Sequence, residues 1–415
     1  MMIRNAVLFI GLVLALAGCQ SSTSKTAAVT LQAGAASAPV NPPMGSFIAG
    51  DKQNRTFTSV HDSLYAKAVV IDDGTNLMAL VTIDCIGLLY PEVNRIREQA
   101  SKLTPIPFDH IIVSSTHTHS GPDVVGLWGT DYEHTGRDSA YVSFLISTAA
   151  AQISKAYDQR VPVSVLTAES VYGEEWVANI ADEEIDRSVT VMQFVNDTGA
   201  TIATLTNFAC HPTFMDAVFS HVSSDYVGSF YKSLSRLLPG EHLFLQGAIG
   251  GWVQPIKGKG TLEGAQLRGD ELAKTVHQAL QNPQVIADPA LDFRSSIFRL
   301  PVANEAWQQL ATIGTVQRVI TDSLETTLAW FSVGTAQFAT HPGETTPYLG
   351  LKTKGMMNSG PKFILGLSQD ALGYILKPEF FEEPPKPHAE YLTRMSLGKQ
   401  TSPLIEEQLR RIIPK

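Results

Sequence analysis

Two histidines one residue apart, His117 and His119, lie in the run Ser114-Ser115-Thr116-His117-Thr118-His119-Ser120-Gly121-Pro122, directly after the apolar Ile111-Ile112-Val113. The apolar run reads as a buried strand leaving a sheet, and on an extended segment the side chains at i and i+2 point the same way. Ser-Gly-Pro does not readily continue a strand. Both rings are therefore expected at a strand-to-loop edge, where open α/β sheets keep their sites. Two imidazoles there suit a metal or a proton-transfer centre. They equally suit a hydrogen-bonded pair that caps a loop, and so short a pattern does not choose. Four further stretches join an apolar segment to a polar, turn-forming cluster: Phe208-Ala209-Cys210 runs into His211-Pro212-Thr213, the segment around Phe338 into His341-Pro342-Gly343-Glu344, and Leu243-Phe244-Leu245 into Gln246 through Trp252, while Ala371-Leu372-Gly373-Tyr374 lies before another apolar pair. Zinc sites combine neutral imidazoles with carboxylates and leave a position for water or substrate. His117, His211 and Glu344 supply such a set if their strand ends converge; taken singly, His211 and Glu344 read as structural residues.

The elements that must position these residues alternate along the chain. Segments 65–71 and 77–83 are rich in β-formers and are joined by Asp72-Asp73-Gly74, a hairpin signal. Helices are expected over 91–102, with Pro91 in the first turn, and over 139–157, 263–280 and 403–412. Another is expected to start near Asp225, with Ser223 and Ser224 available as caps. Strands are expected near 161–167, 189–194, 202–208, 243–245, 296–300 and 327–338. The predicted fold class is α/β: a single large domain with a mixed β-sheet core flanked by helices and the metal site at strand ends. Asp84 and Asp225 read either as partners that orient imidazoles or as caps of a turn or helix. His61, His134, His221 and His341 read as surface or loop histidines, and Trp176 and Trp252 as pocket walls or core.

The chain has 415 residues, 44% of them hydrophobic and 17% charged, which describes a globular protein with a substantial core. A net charge of −9 and the lack of a basic stripe argue against nucleic acid as a partner. Arg4 precedes an apolar run over 6–17, too short for a membrane span and shaped like a secretory leader. Leu16-Ala17-Gly18-Cys19 resembles the bacterial lipobox, in which the cysteine carries lipid; Gln20 after it implies sorting to the outer membrane. The expected organisation is a lipoprotein signal peptide over 1–19, a flexible Ser/Thr/Ala/Gly tether over 20–40, and a catalytic domain over 41–415. The chain would then be anchored to the cell envelope without spanning a membrane. Cys85 and Cys210 lie in apolar stretches and read as buried free thiols.

Thr116 through Pro122, Asn207 through Thr213, Pro342-Gly343-Glu344, Gly373-Tyr374-Ile375 and Val60 through Ala68 together resemble the neutral/alkaline non-lysosomal ceramidase family, in the family's order and spacing. So does the tail from Tyr391 through Gly398. The resemblance covers nearly all of the mature chain. It implies one Zn2+ held by His117, His211, Glu344 and Tyr374, with His119 beside the metal as the catalytic residue that serves the substrate. The implied activity is zinc-dependent amidohydrolysis, in which water activated by zinc cleaves the N-acyl bond of a lipid or other amphiphile, a step in sphingolipid metabolism. Two departures qualify the substrate. The family's Gly-Asp-Val-Ser-Pro loop with its catalytic serine is represented by Gly250 through Pro255, which has no serine, and Ile180 stands where the family has an arginine. These departures also admit an envelope lipoprotein that binds metal, and a lipid or glycan, without hydrolysis.

Overall fold

The computed structural model describes residues 30–415 apart from positions 183, 217, 359 and 384. The 1–19 leader and Cys19 lie outside the described residues. Two sheets stack face to face. The larger has nine strands; its main path runs in space 241–246, 201–208, 188–196, 161–171, 32–39, 65–72, 77–83, 111–115, and the short Gln284–Ile286 strand pairs beside Val161–Val171. Leu77–Ile83 and Ile111–Ser115 pair in parallel, as do Thr201–Phe208 and Glu241–Gln246, while the remaining neighbours are antiparallel. The smaller sheet joins Leu291–Pro301, Ser323–Val333, Ala336–Thr340 and Lys362–Leu365. This is the mixed α/β domain expected from the sequence.

Alternation along the strands explains the stacking. Val69, Ile71, Leu80, Ile112, Phe194 and Leu205 of the large sheet share one buried apolar cluster with Phe331, Phe338 and Phe363 of the small one. The three phenylalanines stack as a ladder, with ring centroids 4.4 and 4.1 Å apart. Burying each such ring contributes about 1.5–3 kcal/mol, so this seam fixes the two sheets against each other. Helices cover the outer faces. Ser139–Asp158 packs on the 32–39 and 65–72 strands, Tyr226–Leu237 packs with Leu262–Ala279, and Thr401–Ile412 lies on the small sheet.

Several expectations change. The tether does not extend to Val40, because Gln32–Pro39 is a strand inside the large sheet, paired along its length with Tyr65–Asp72. Its small side chains, which suggested a linker, suit close helix packing: a Cβ on Gly34 would lie 2.2 Å from the Ala156 carbonyl oxygen of the covering helix. The 327–338 segment is two strands, broken by a turn in which Gly334 has φ +56°. Asp225, rather than Ser223 or Ser224, caps the 226–237 helix, accepting from the Tyr226 N–H. His341 is fully buried, with Nε2 3.1 Å from the Thr353 hydroxyl. Cys85 and Cys210 are buried free thiols. Among the described residues no helix is long and apolar enough to cross a membrane.

Candidate metal centre

The strand Ile111–Ser115 ends two residues before His117. Thr201–Phe208 ends three before His211, and Ala336–Thr340 four before Glu344. All three emerge at one edge of the stacked sheets, so the strand-end placement holds. The reason for the convergence of His117 and His119 differs from the expected one. The chain has already left the strand, and His117 adopts a left-handed φ of +69°. Its N–H donates to the Cys85 carbonyl, and the turn, not a strand alternation, brings the two Nε2 atoms to 3.4 Å.

Gln246, at the end of its strand, holds the two histidine segments together. Its Nε2 donates to the carbonyls of Thr116 and Cys210, both at 3.0 Å, and its Oε1 accepts from the Cys210 N–H. Asn207 joins the sheets in the same way, donating to the Leu245 and Ile364 carbonyls and accepting from the Ile364 N–H. Glu344 and Tyr374 are register partners in a short parallel pair, which places the carboxylate and the phenol side by side.

His117, His119 and His211 each offer a nitrogen within 4.8 Å of the others. The outer side of each ring assigns its tautomer. His117 Nδ1 is 2.5 Å from the Ile86 carbonyl oxygen and His211 Nδ1 is 2.9 Å from that of Val253. A carbonyl only accepts, so both Nδ1 atoms carry the proton and both Nε2 atoms present lone pairs inward. His119 Nδ1 lies at ion-pair distance, 3.2 Å, from the Asp216 carboxylate without hydrogen-bond alignment, and that negative charge favours the proton on Nδ1. Into this ring of acceptors projects Glu344, its Oε2 3.0 Å from His211 Nε2 and 3.6 Å from His117 Nε2. Burial pushes the Glu344 carboxyl up, but His117 and His211 more than offset this and hold it well below the ordinary carboxylate value. Burial dominates at His211 and lowers the imidazole despite Glu344.

Nitrogens and a carboxylate facing one another at such distances are satisfied by a proton on an imidazole Nε2, which holds the Glu344 carboxyl down, or by a cation that takes its place. Ligand atoms about 2.0–2.2 Å from a tetrahedral zinc stand roughly 3.3–3.6 Å apart. The separations of Glu344 Oε2 from His211 and His117 Nε2, 3.0 and 3.6 Å, bracket that spacing. The nitrogen and oxygen donor set fits a divalent ion of the zinc type. Tyr374 lies at the side of Glu344, 6% exposed, and its hydroxyl accepts a 2.8 Å hydrogen bond from the indole of Trp252. All five residues selected from the sequence are thus brought to one place.

No protein-family model matches the sequence. In the solved structures, the crystal structure of neutral ceramidase from Pseudomonas aeruginosa superposes with a TM-score of 0.75 at 13% identity, covering 93% of this chain and 76% of that one. A structure of ceramidase complexed with C2 gives the same score and identity, over 92% and 75%. The chain has the neutral ceramidase fold. Four of the motifs that suggested this family, those carrying His117 and His119, His211, Glu344 and Tyr374, supply the residues of the centre.

Other sequence candidates fall outside the centre. Asp84 is buried and accepts from the Tyr65 N–H and the Ser224 hydroxyl; burial pushes its carboxyl up to about 6. Neither it nor Asp225 orients a histidine of the centre. Trp176 is core. Arg187 donates to the carbonyls of Gly173 and Val177, and Gln254 accepts from Lys259, so neither side chain stands in for the arginine or the serine that this chain lacks. Asp216 and Gln246 were missed by sequence reading. Both lie within six residues of a motif, yet nothing in a lone Asp or Gln signals which backbone or ring it will meet.

Proposed function

We propose that this protein is a zinc-dependent hydrolase that cleaves the N-acyl amide bond of a lipid or other amphiphile. The observation that carries the reading is the convergence of His117 Nε2, His211 Nε2 and the Glu344 carboxylate, with each Nδ1 tied to a carbonyl on the outer side, which suits a cation between them. His117, His211, Glu344 and Tyr374 would hold the zinc. When bound, it polarises the acyl carbonyl and lowers the pKa of a water to about 7.

His119 has a separate duty. Its ring is the least buried of the three histidines and lines the open side of the pocket. A carboxylate, not a carbonyl, stands behind it. That pairing suits a group that takes a proton from the attacking water at Nε2 and passes it to the departing amine nitrogen, because Asp216 stabilises the imidazolium in between.

The pocket supports an amphiphilic substrate. The cavity over the centre measures about 80 Å³ and has room for the scissile group. It adjoins a second cavity of about 390 Å³, with Leu127, Trp307 and Met395 common to both walls and Leu310 and Ile313 lining the second alone. That volume falls in the usual range for a small-molecule site and suits one apolar group. Ceramide is one candidate within this class. Anchorage to the envelope through Cys19 would keep the pocket near lipid, and Cys19→Ala should release the protein from membranes.

The test is a metal assay joined to hydrolysis of a panel of N-acyl lipids and N-acyl amino acids. Purified protein should carry about one zinc per chain, and Glu344→Ala should lose both zinc and turnover. Metal-free protein with an intact fold would end the reading. The second reading, a binding lipoprotein without turnover, is favoured by the loop Gly250–Pro255, whose Gln254 is turned to Lys259. His117-dependent hydrolysis of any panel member disposes of it.

A further inference from the structure

The loop after the Glu241–Gln246 strand lacks a nucleophile, but it touches three of the four residues assigned to the metal. A Cβ on Gly250 would lie 2.3 Å from the Glu344 carbonyl oxygen, so the loop presses directly on the strand that carries the carboxylate. The Val253 carbonyl accepts from both the backbone N–H and the ring Nδ1 of His211. Between them, Trp252 sends its indole N–H to the Tyr374 hydroxyl at 2.8 Å. Of these three contacts, only the last is made by a side chain of the loop.

Trp252 is held for this contact. It has a left-handed φ of +63°, an unfavourable conformation for a residue with a bulky side chain. The flanking backbone fixes it: Ile180 N–H donates to the Trp252 carbonyl and Ala181 N–H to that of Gly251. The indole packs against His388 and Tyr391, with ring centroids 4.8 and 5.4 Å away. Indole N–H is a donor only, whereas a phenol oxygen has two lone pairs and one proton. Tyr374 must therefore accept from Trp252. One lone pair is engaged by Trp252 on the outer side, and the O–H is left for the Glu344 carboxylate beside it.

We propose that Trp252 is a positioning residue that aims the Tyr374 oxygen at the metal centre, so that the loop serves the site through the phenol instead of through a nucleophile. This rests on the metal reading above and adds to it a residue that acts only through Tyr374. Partners of this kind commonly change metal affinity by about 10–100-fold.

The test uses the full chain and zinc alone. Zinc affinity is measured by chelator competition for the parent, Trp252→Phe, Tyr374→Phe and the double variant. Trp252→Phe keeps an aromatic ring but loses the N–H, and should weaken zinc binding about tenfold or more in the parent background. It should have no effect once Tyr374 is Phe. Additive losses, or unchanged affinity in Trp252→Phe, overturn the proposal. A second measurement does not depend on metal. With nitrogen-15 in the five tryptophans, the indole resonance that disappears in Trp252→Phe should shift in Tyr374→Phe; an unmoved resonance also overturns the proposal. Parent protein that binds no zinc, with the indole resonance still responding to Tyr374→Phe, identifies the metal reading as the failed step and takes the positioning role with it.

Discussion

The Asp216 carboxylate stands directly behind His119, with Oδ2 3.2 Å from Nδ1, and Arg55 Nη2 approaches its other oxygen at 3.8 Å. Burial pushes the Asp216 carboxyl up, but His119 and Arg55 more than offset this, leaving it below its ordinary value. A buried charge held in this way fixes which face of the imidazole is protonated. It separates His119 from His117 and His211, whose rings rest on neutral carbonyls.

Asp216→Ala should lower turnover of the best panel substrate by about 10–100-fold while the protein keeps its zinc. Steady-state kinetics and metal analysis of the same preparation check this. Loss of zinc together with activity would instead place His119 among the ligands.

Gly50→Ala should produce a similar defect from the opposite side. Gly50 has φ +90°, and a Cβ there would lie 2.5 Å from His119 Nδ1. The backbone strain alone costs about 1–2 kcal/mol, and the ring must move away from Asp216. Turnover should fall, and the double variant with His119→Ala should be no worse than His119→Ala alone. An active Gly50→Ala would mean that His119 tolerates displacement.

Gln246→Ala should loosen the centre without touching a ligand. It deprives the buried Thr116 carbonyl of the amide donor and unties His117's segment from that of His211. A buried polar group left without its partner costs about 1–3 kcal/mol. Urea unfolding should show a loss of that size, accompanied by weaker zinc binding.

Acid stability should depend on His341. Burial holds its imidazole down at about 3, against 6.5 for the free group. Below pH 6.5 the unfolded chain takes up a proton that the folded chain refuses until pH is near 3. The contribution of neutral His341 is therefore complete above that upper value and is lost as pH falls toward the lower one, amounting to about 2 kcal/mol by pH ~5. Burial has the reverse effect at Asp225, pushed up to about 7, whose contribution is present at low pH and lost as pH rises through that value. Comparing His341→Gln with the parent isolates the histidine: the variant's unfolding free energy should fall less between neutral pH and pH ~5. Parallel pH profiles would contradict it.

Much of the fold was legible because its elements carry local signals. The Asp72-Asp73-Gly74 turn between two β-rich runs gives the 65–72 and 77–83 hairpin, and the helices over 90–103 and 139–158 fall within a residue of their expected bounds. Gln32–Pro39 was not legible. Its Ala and Gly residues have weak β-preference, and only the helix lying across them explains why small residues are needed there.

By itself the sequence determined the chemical types at the centre: two imidazoles next to a strand end, a third after another strand, a carboxylate and a phenol in their own turn-forming clusters. Donor chemistry belongs to the side chain and travels with it. Only the tertiary structure decided how those donors meet. The left-handed turn at His117, the Gln246 amide bridging two strand ends, the carbonyls of Ile86 and Val253 behind two rings, and Asp216 behind the third all join segments distant in sequence or set by a backbone angle. Tautomer and direction depend on what stands behind each ring, and that is fixed by packing of the whole chain.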